Sequence, residues 1–258
     1  MCARAYNRAE SAADNSMMNP RFFCPIPLAA GHAIDLPAEV AHHADRVLRL
    51  KAGDRITLFN GDGGEFPAVL LSLGKTARAE LEARLEPQRE SPVMLTLVQS
   101  LATADKMDWV LQKAVELGVS RIVPVASARS VVKLSGDRAE KRVEHWRHIV
   151  AAACEQCGRN VLPPVADLLP LPRHLAAPPP GETLRLFLSP TAPDRLSDLP
   201  RPASVELLVG PEGGFTDDEE SAARSVGYRP VRLGPRILRT ETAGLAALAA
   251  LQLQWGDF

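Results

Sequence analysis

Two short segments near the C-terminus contain the residue types best suited to chemistry. The first is residues 210–215, which read GPEGGF, and the second is residues 233–243, which read LGPRILRTETA. Each follows an apolar run that predicts a strand, and each leads into a predicted helix. In open α/β sheets, ligands bind outside the C-terminal ends of the strands. The two segments therefore predict an enzyme with its site at this edge of a sheet.

The first segment is a glycine-rich turn before a helix, a pattern that often binds phosphate. It has neither the Lys-Ser or Lys-Thr pair of a P-loop nor the spacing of a dinucleotide-binding turn. Glu212 lies inside the turn, and acidic residues follow at 217–220, so a polyphosphate would be repelled. The sequence instead favours a neutral or cationic ligand, which the backbone at Gly213 and Gly214 can approach closely because glycine has no Cβ.

The second segment carries the opposite charge. Arg236 and Arg239 lie three residues apart, and Glu241 follows. Two arginines at this spacing could hold an RNA phosphate or stabilise an anion that develops during a reaction. They could equally form structural ion pairs with Glu212 that fix the two loops. The residues alone do not decide between these interpretations.

The bulk composition is that of an ordinary soluble globular protein. The chain has 258 residues, of which 46% are hydrophobic and 24% charged, enough for one large or two smaller domains. The net charge of −1 gives no overall basic character of the kind that often accompanies nucleic-acid binding, but it leaves room for a local basic surface. Residues 129–159 have such an excess of Arg and Lys, which a solvated helix face would also explain.

Targeting and redox signals point to the cytoplasm. Residues 1–20 lack the apolar core of a secretory signal and predict a disordered extension. No apolar run approaches the roughly 18 residues of a membrane helix. The 4 cysteines are too few for a disulfide framework, which favours a reducing compartment. Cys154 and Cys157 have C-x-x-C spacing, but no second pair completes a zinc site, so we expect small buried residues and no metal.

Residues 21–90 predict short strands and turns that form a small β-barrel domain. The sequence NGDGG at 60–64 is a strong hairpin signal, because Asn-Gly supplies the positive φ angles of tight turns. One helix over 37–50 interrupts the strands. Its predicted buried side carries Val40, Ala44, Val47 and Leu48. Residues 86–92 predict a linker.

Beyond the linker, strands and helices alternate, which predicts a mostly parallel sheet covered by helices. The pattern predicts strands at 93–101, 121–125, 183–188, 205–209 and 229–233, and helices at 105–117, 138–157, 217–226 and 241–255. Thr216 and Glu219 form a capping box before the third of these helices, and Gly118 and Gly227 are suited to end helices. The Pro-rich stretch 163–181 predicts a loop.

From about residue 21 onward, the chain resembles the RsmE-type ribosomal RNA methyltransferases of the SPOUT superfamily. Several motifs of that family occur here in the same order. They are Arg21-Phe22-Phe23, RVLR at 46–49 with Gly53-Asp54, Lys106-Met107, QKAVELGV at 112–119, Glu155-Gln156 with Arg159, and the two segments at 210–215 and 233–243. The ordered set is far more specific than GPEGGF alone.

The resemblance implies methylation of N3 of a uridine in 16S rRNA, with free rRNA or the assembled small ribosomal subunit as substrate. The methyl donor would be S-adenosylmethionine, whose sulfonium cation suits the acidic, glycine-rich turn. The implied α/β fold has a PUA-like RNA-binding β-barrel domain at 21–90 and a SPOUT domain with a deep trefoil knot at 91–258. A homodimer is also implied, in which the final helix takes part. A SPOUT enzyme acting on another RNA base and a non-catalytic RNA-binding protein are the alternatives.

The same resemblance implies a set of site residues. The cofactor-binding positions are Leu188, Ser189, Gly210, Pro211, Glu212, Gly213, Gly214, Leu233, Gly234, Ile237, Leu238 and Arg239. The expected RNA contacts are Arg21, Arg46, Arg49, Arg129 and Arg236. Arg239 and Arg159 are expected to stabilise the uracil anion that forms when N3 loses its proton. Glu212, Glu241 and solvent are the candidate proton acceptors.

Overall fold

A computed structural model describes residues 19–74, 76–178 and 181–258. The chain divides into two compact units. Unit 1 contains the chain up to Arg89 together with Cys154–Leu162, and unit 2 contains Glu90–Ala153 and Pro163–Phe258. The sequence predicted two contiguous domains, so the grouping of Cys154–Leu162 with unit 1 corrects that prediction. Most of the predicted N-terminal extension lies outside the described residues.

Unit 1 is built on a five-stranded sheet. Its strands are β1 (Arg21–Phe23), β2 (Ala33–Asp35), β3 (Arg55–Phe59), β4 (Phe66–Ser72) and β5 (Arg78–Leu81), in the order β1-β3-β4-β5-β2. β1 and β3 are parallel, and the other neighbours are antiparallel. Gly61 and Gly63 have φ angles of 94° and 99° between β3 and β4, which confirms the predicted hairpin turn. Ile56, Leu58 and Phe66 lie in the buried core of this sheet.

The predicted helix of unit 1 is irregular in the structure. α1 spans Ala38–His42 and continues as a π-helical turn over His43–Val47. Val40 is buried as predicted, whereas Val47 and Leu48 are 60% and 42% exposed. The prediction was wrong for these two residues because the wider π-helical turn breaks the spacing of an ordinary α-helix and rotates them away from the core.

Unit 2 is built on a six-stranded sheet in which all neighbours are parallel, as the alternation of strands and helices predicted. Its strands are β6 (Met94–Ser100), β7 (Arg121–Ala126), β8 (Leu169–Pro170), β9 (Thr183–Leu188), β10 (Ser204–Val209) and β11 (Arg229–Val231). Their order is β11-β9-β10-β6-β7-β8. The three strands at one side of this order, β11, β9 and β10, therefore end next to one another.

The helices of unit 2 follow the predicted pattern closely. They are α2 (Ala104–Glu116), α3 (Asp137–Cys157), α4 (Leu171–Leu175), α5 (Asp217–Ser225) and α6 (Thr240–Trp255), with the last residues of α3 grouped with unit 1. The apolar stripe of α2, including Met107 and Leu111, is buried, and Gly118 follows the helix with φ of 75°. Thr216 and Glu219 form the capping box at the start of α5. These predictions are confirmed.

The Pro-rich stretch at 163–181 is more regular than predicted, because it contains β8 and α4. The first turn of α4 includes a proline, a place where the missing amide costs no helical hydrogen bond. The high proline content predicted a loop, but proline is also compatible with the first turn of a helix such as α4. Within the described part of the chain, none of the helices combines the length and apolar character that crossing a membrane requires.

Candidate active site

A pocket of about 490 Å³ opens at the C-terminal ends of β9, β10 and β11. Its walls are formed by residues 188–190 after β9, by residues 210–215 after β10, called the glycine loop here, and by most of residues 232–239 after β11, called the arginine loop. Every position predicted to bind the cofactor lines this pocket. Such a place at the sheet edge is where open α/β sheets bind ligands. Contact of these residues with a cofactor stays a prediction.

The glycine loop depends on its glycines for space. Gly214 has φ of 66°, a backbone conformation that side chains rarely adopt. A Cβ on Gly210 would lie 3.3 Å from the ring of Phe215, and one on Gly213 would lie 3.2 Å from the Cβ of Arg129. A larger residue at either position would require the side chain of Phe215 or Arg129 to shift by a few tenths of an ångström.

Arg129 anchors the glycine loop. Its Nη1 donates to the carbonyl oxygens of Gly213 and Phe215 at 3.1 and 3.0 Å. A further hydrogen bond joins the segment next to Arg129 to α5, because the Glu219 carboxylate accepts from the amide of Ala128 at 2.7 Å. Arg129 was predicted to contact RNA. The structure instead places its guanidinium against loop carbonyls, a role that the sequence did not reveal because carbonyl positions have no residue signature.

Thr240 connects the two loops through a buried hydroxyl. Its Oγ1 donates to the Gly210 carbonyl at 2.6 Å and accepts from Nε2 of Gln99 at 3.1 Å. Thr240 and Gln99 are both buried, so these hydrogen bonds are shielded from water. The first residue of α6 thereby fixes the end of β10. No role was predicted for Thr240, because its position next to Arg239 was the only feature in the sequence that distinguished it.

Lys106, at the start of α2, pairs with Glu212 of the pocket wall and with Glu241, which does not itself line the pocket. Its Nζ lies 3.1 Å from Glu212 and 3.4 Å from Glu241. The Glu212 carboxylate also accepts from the amide of Thr103 at 3.4 Å. The predicted alternative, in which Glu212 pairs with the arginines of the second segment, is wrong, because Lys106 is the partner. Lys106 belongs to one of the family motifs, but its role was not predicted from the sequence.

Hydrogen bonds keep the Glu212 carboxyl group ionised. Burial disfavours the Glu212 carboxylate, but hydrogen bonds from its own backbone amide and from Lys106 outweigh burial and lower its pKa. The hydrogen bond to Glu212 in turn raises the pKa of Lys106. Both groups are therefore charged at neutral pH. A carboxylate with a lowered pKa is a weak base, which argues against Glu212 as the proton acceptor.

The arginines of the arginine loop face the pocket without partners. Arg232, Arg236 and Arg239 all line it, and within the described ranges none of their guanidinium groups forms a hydrogen bond or an ion pair. Between them, Ile237 is 83% exposed. Unpaired guanidinium groups keep their donors for a ligand. The pocket thus has a paired, mainly acidic wall and an unpaired basic one.

Two predicted site residues belong to unit 1 and are buried there. The side chain of Arg21 is 7% exposed, and its guanidinium contacts Glu65 at 2.5 Å and Asn160 at 2.6 Å. These contacts hold the Arg21 guanidinium within unit 1, and its contact with RNA stays a prediction. Arg159 is 5% exposed and does not line the pocket of unit 2. Its catalytic role stays a prediction.

The other predicted RNA contacts of unit 1 are exposed. Arg46 contacts only the neighbouring Asp45, at 3.2 Å, among the ion pairs found in the described chain. Arg49 has φ of 56°, an uncommon conformation for a residue with a side chain. Together with Val47 and Leu48, these arginines form an exposed basic and apolar turn. Their contact with RNA remains a prediction.

Of the two cysteines in the C-x-x-C sequence, only Cys154 is packed like an ordinary core residue. Cys154 is buried, and its Sγ lies 3.7 Å from the carbonyl oxygen of Val161, while Cys157 is half-buried. A search of the described residues finds no cluster of three or more His, Cys, Asp or Glu side chains that could hold a metal ion. Cys2 lies outside the described residues.

Two protein families match the sequence. The RNA methyltransferase domain matches residues 89–252, and the RNA methyltransferase PUA domain matches residues 36–81. The first match covers more than half of the chain and includes the glycine loop and the arginine loop. The second covers α1, its π-helical turn and the strands β3, β4 and β5 of unit 1.

Proteins named ribosomal RNA small subunit methyltransferase E are similar to almost the whole chain. The protein of Buchnera aphidicola from Schizaphis graminum is 34% identical over 92% of this chain and 97% of its own length. That of Bacillus subtilis is 33% identical over 85% of this chain and 89% of its own length. A solved structure of the Neisseria gonorrhoeae protein, bound to S-adenosyl methionine, has 44% identity and a TM-score of 0.88, and covers 93% of this chain and 99% of that one.

Proposed function

Because the chain belongs to the RsmE family of ribosomal RNA small subunit methyltransferases, we propose that it transfers a methyl group from S-adenosylmethionine to N3 of a uridine in 16S rRNA. The observation that carries this proposal is the pocket at the ends of β9, β10 and β11. Its paired acidic wall and its unpaired basic wall suit a cationic donor and an acceptor base that becomes anionic.

The residues of the pocket fit S-adenosylmethionine. Glu212, Glu241 and Lys106 combine two negative charges with one positive charge, so the cluster keeps a net negative charge. Such a wall attracts a sulfonium cation and disfavours a polyphosphate. The glycine loop allows close backbone approach, and Leu188 and Leu238 add apolar surface. When bound there, the cofactor supplies an electrophilic methyl group.

Arg239 is the proposed catalytic residue on the basic wall. Uridine N3 carries an imide proton, and the nitrogen becomes a good nucleophile when that proton leaves. A guanidinium that contacts the resulting anion stabilises it and thereby lowers the pKa of the imide. Arg239 is exposed at the pocket and has no partner among the described residues that would compete for it. Arg159 stays the proposed second cation.

Solvent is the proposed proton acceptor. The lowered pKa of Glu212 makes it a weak base, and Glu241 faces the same ammonium group at 3.4 Å. We therefore assign Glu212 and Glu241 to the stabilisation of the sulfonium. Arg46, Arg49 and Arg236 remain the proposed RNA contacts.

A homodimer formed through α6 belongs to the same proposal. Leu245, Ala249 and Leu253 lie four residues apart on α6, and all three are incompletely buried by this chain. A helix that is apolar on all sides is usually covered on all sides, so a second copy is the proposed cover for this stripe. The deep trefoil knot, the barrel form of the PUA-like domain and the cytoplasmic location complete the proposal and rest on the family.

Nucleoside mass spectrometry of 16S rRNA from cells with and without the gene tests the proposed function. We expect 3-methyluridine to disappear without the gene and to return with the wild-type chain but not with Arg239→Ala. Loss of a different modified base would favour a SPOUT enzyme of other specificity. An unchanged rRNA, together with no S-adenosylmethionine binding by calorimetry, would favour a non-catalytic RNA-binding protein.

A further inference from the structure

A second cavity adjoins the arginine loop. Its volume is about 570 Å³, and it is lined by Arg195, Leu196, Ser197, Arg232, Leu233, Gly234, Pro235 and Ala250. Three of these residues, 232–234, also line the first pocket. The arginine loop therefore contributes residues both to the methyl-transfer pocket and to this second cavity.

Two arginines face this cavity from directly opposed positions. Arg195 and Arg232 form an isolated parallel β-bridge, and the Arg232 amide bonds to the Asp194 carbonyl at 3.0 Å. Opposed residues of neighbouring strands are about 4.8 Å apart and project to the same side. The two guanidinium groups thus start close together, an arrangement that is unfavourable for like charges unless something neutralises them.

The protein does not neutralise this arginine pair itself. Neither guanidinium has a hydrogen bond or an ion pair in the part of the chain that the structure describes. The nearest acid in sequence, Asp194, is engaged by Arg229 at 3.2 Å. The two guanidinium groups together have ten N–H donors, which suit a phosphate. Leu196 and Ala250 add apolar surface to the cavity, which suits an organic group attached to that phosphate.

We propose that the second cavity binds a phosphodiester of the RNA strand beside the target uridine, with Arg195 and Arg232 as its ligands. This inference rests on the proposed function. The strand would run along the unpaired arginines from Arg239 and Arg236 to Arg232 and Arg195. Since residues 232–234 line both cavities, the RNA backbone and the cofactor would share the arginine loop, so any factor by which RNA binding changes cofactor affinity equals the factor by which the cofactor changes RNA affinity.

Arg195→Ala tests this site, because Arg195 lines the second cavity and does not line the first. The matched control is Arg201→Ala, which removes another exposed arginine that lines neither cavity. Affinity for a 16S rRNA transcript is measured over a range of salt concentrations, and S-adenosylmethionine affinity by calorimetry. We expect Arg195→Ala to weaken RNA binding roughly tenfold and to reduce the slope of log K against log salt by about 0.7. Cofactor affinity without RNA should not change, and Arg201→Ala should match the wild type.

Each other outcome has a defined meaning. If Arg195→Ala and Arg201→Ala bind RNA alike while the wild type methylates 16S rRNA, the inference is wrong and the proposed function stands. If Arg195→Ala changes the mass of the assembly in light scattering, the cavity is an interface between copies of the chain, which also overturns the inference. If the wild type transfers no methyl group, the proposed function fails, and the RNA-binding comparison still decides the role of the cavity.

Discussion

The glycine loop and the arginine loop wall the same pocket, but the protein uses their polar groups in opposite ways. In the glycine loop, Arg129 satisfies two carbonyl oxygens and Lys106 pairs with the one carboxylate. In the arginine loop, three guanidinium groups have no partner among the described residues. The glycine loop is therefore fixed by hydrogen bonds from residues that are distant in the sequence. The arginine loop keeps its donors for ligands.

This difference assigns the two loops separate tasks. A loop whose groups are already bonded is preorganised, so it can position a cofactor without further ordering cost. Free cations beside it can interact with an anion that forms during the reaction, since no carboxylate of the described residues forms an ion pair with them. Substitutions in the arginine loop should therefore change rate and RNA binding, whereas substitutions of the anchors should change stability and cofactor affinity.

Arg239→Ala should have the largest effect. Loss of one preorganised donor to the developing anion is expected to reduce kcat on the order of 10²–10³. The unfolding temperature should not change, because the side chain is exposed and has no hydrogen bond or ion pair with the described residues. Single-turnover methyl transfer and thermal unfolding measure the two quantities, with Arg201→Ala as the control. Full activity in Arg239→Ala would remove this residue from the mechanism.

Thr240→Val should have the next largest effect, and on stability. The change leaves the Gly210 carbonyl and the Gln99 amide without their buried partner, at a cost of about 1–3 kcal/mol in the free energy of unfolding. Thr242→Val is the matched control, since this exposed threonine lies on the same helix and should change stability by less than about 0.5 kcal/mol. Equal effects of both substitutions in chemical denaturation would show that the hydroxyl does not join the loops.

Arg129→Ala should separate anchoring from RNA binding. Loss of two hydrogen bonds loosens the glycine loop, and we expect roughly tenfold weaker S-adenosylmethionine binding with an unchanged salt dependence of RNA binding. In contrast, Arg236→Ala should lower the slope of that salt dependence by about 0.7. Calorimetry and RNA titrations give both numbers. If Arg129→Ala lowers the salt slope as Arg236→Ala does, Arg129 contacts RNA after all.

The smallest expected effect is the pH dependence of the Glu212 ion pair. The folded pKa of Glu212 is lowered, so its contribution to stability is present above the unfolded pKa, about 4.3. That contribution is lost as the pH falls through the folded value. Glu212→Gln should therefore lower the unfolding temperature slightly at pH 7 and converge with the wild type near pH 3. In the Lys106→Met background the difference at pH 7 should shrink, and an unchanged difference would contradict the pairing.

Sequence patterns predicted the secondary structure around the site, because strands, helix caps and turns depend mainly on residues close together in the chain. The parallel sheet, the capping box at Thr216 and the place of both loops at strand ends follow from periodicity and turn chemistry. The anchors did not follow, since Arg129 and Lys106 reach loop atoms more than eighty residues away in the chain. Long-range partners of a charged side chain have no local signature, and the contact of Arg21 with Glu65 was not predicted for the same reason.

Methyl transfer in vitro tests the central claim most directly. The purified chain is incubated with S-adenosylmethionine carrying a deuterated methyl group and with 16S rRNA or small ribosomal subunits from cells that lack the gene, and the digested RNA is analysed by mass spectrometry. A uridine with the labelled methyl group at N3, formed by the wild type and greatly reduced with Arg239→Ala, is the predicted result. A label on another base, or none on either substrate, would contradict the assignment of this pocket to uridine N3 methylation.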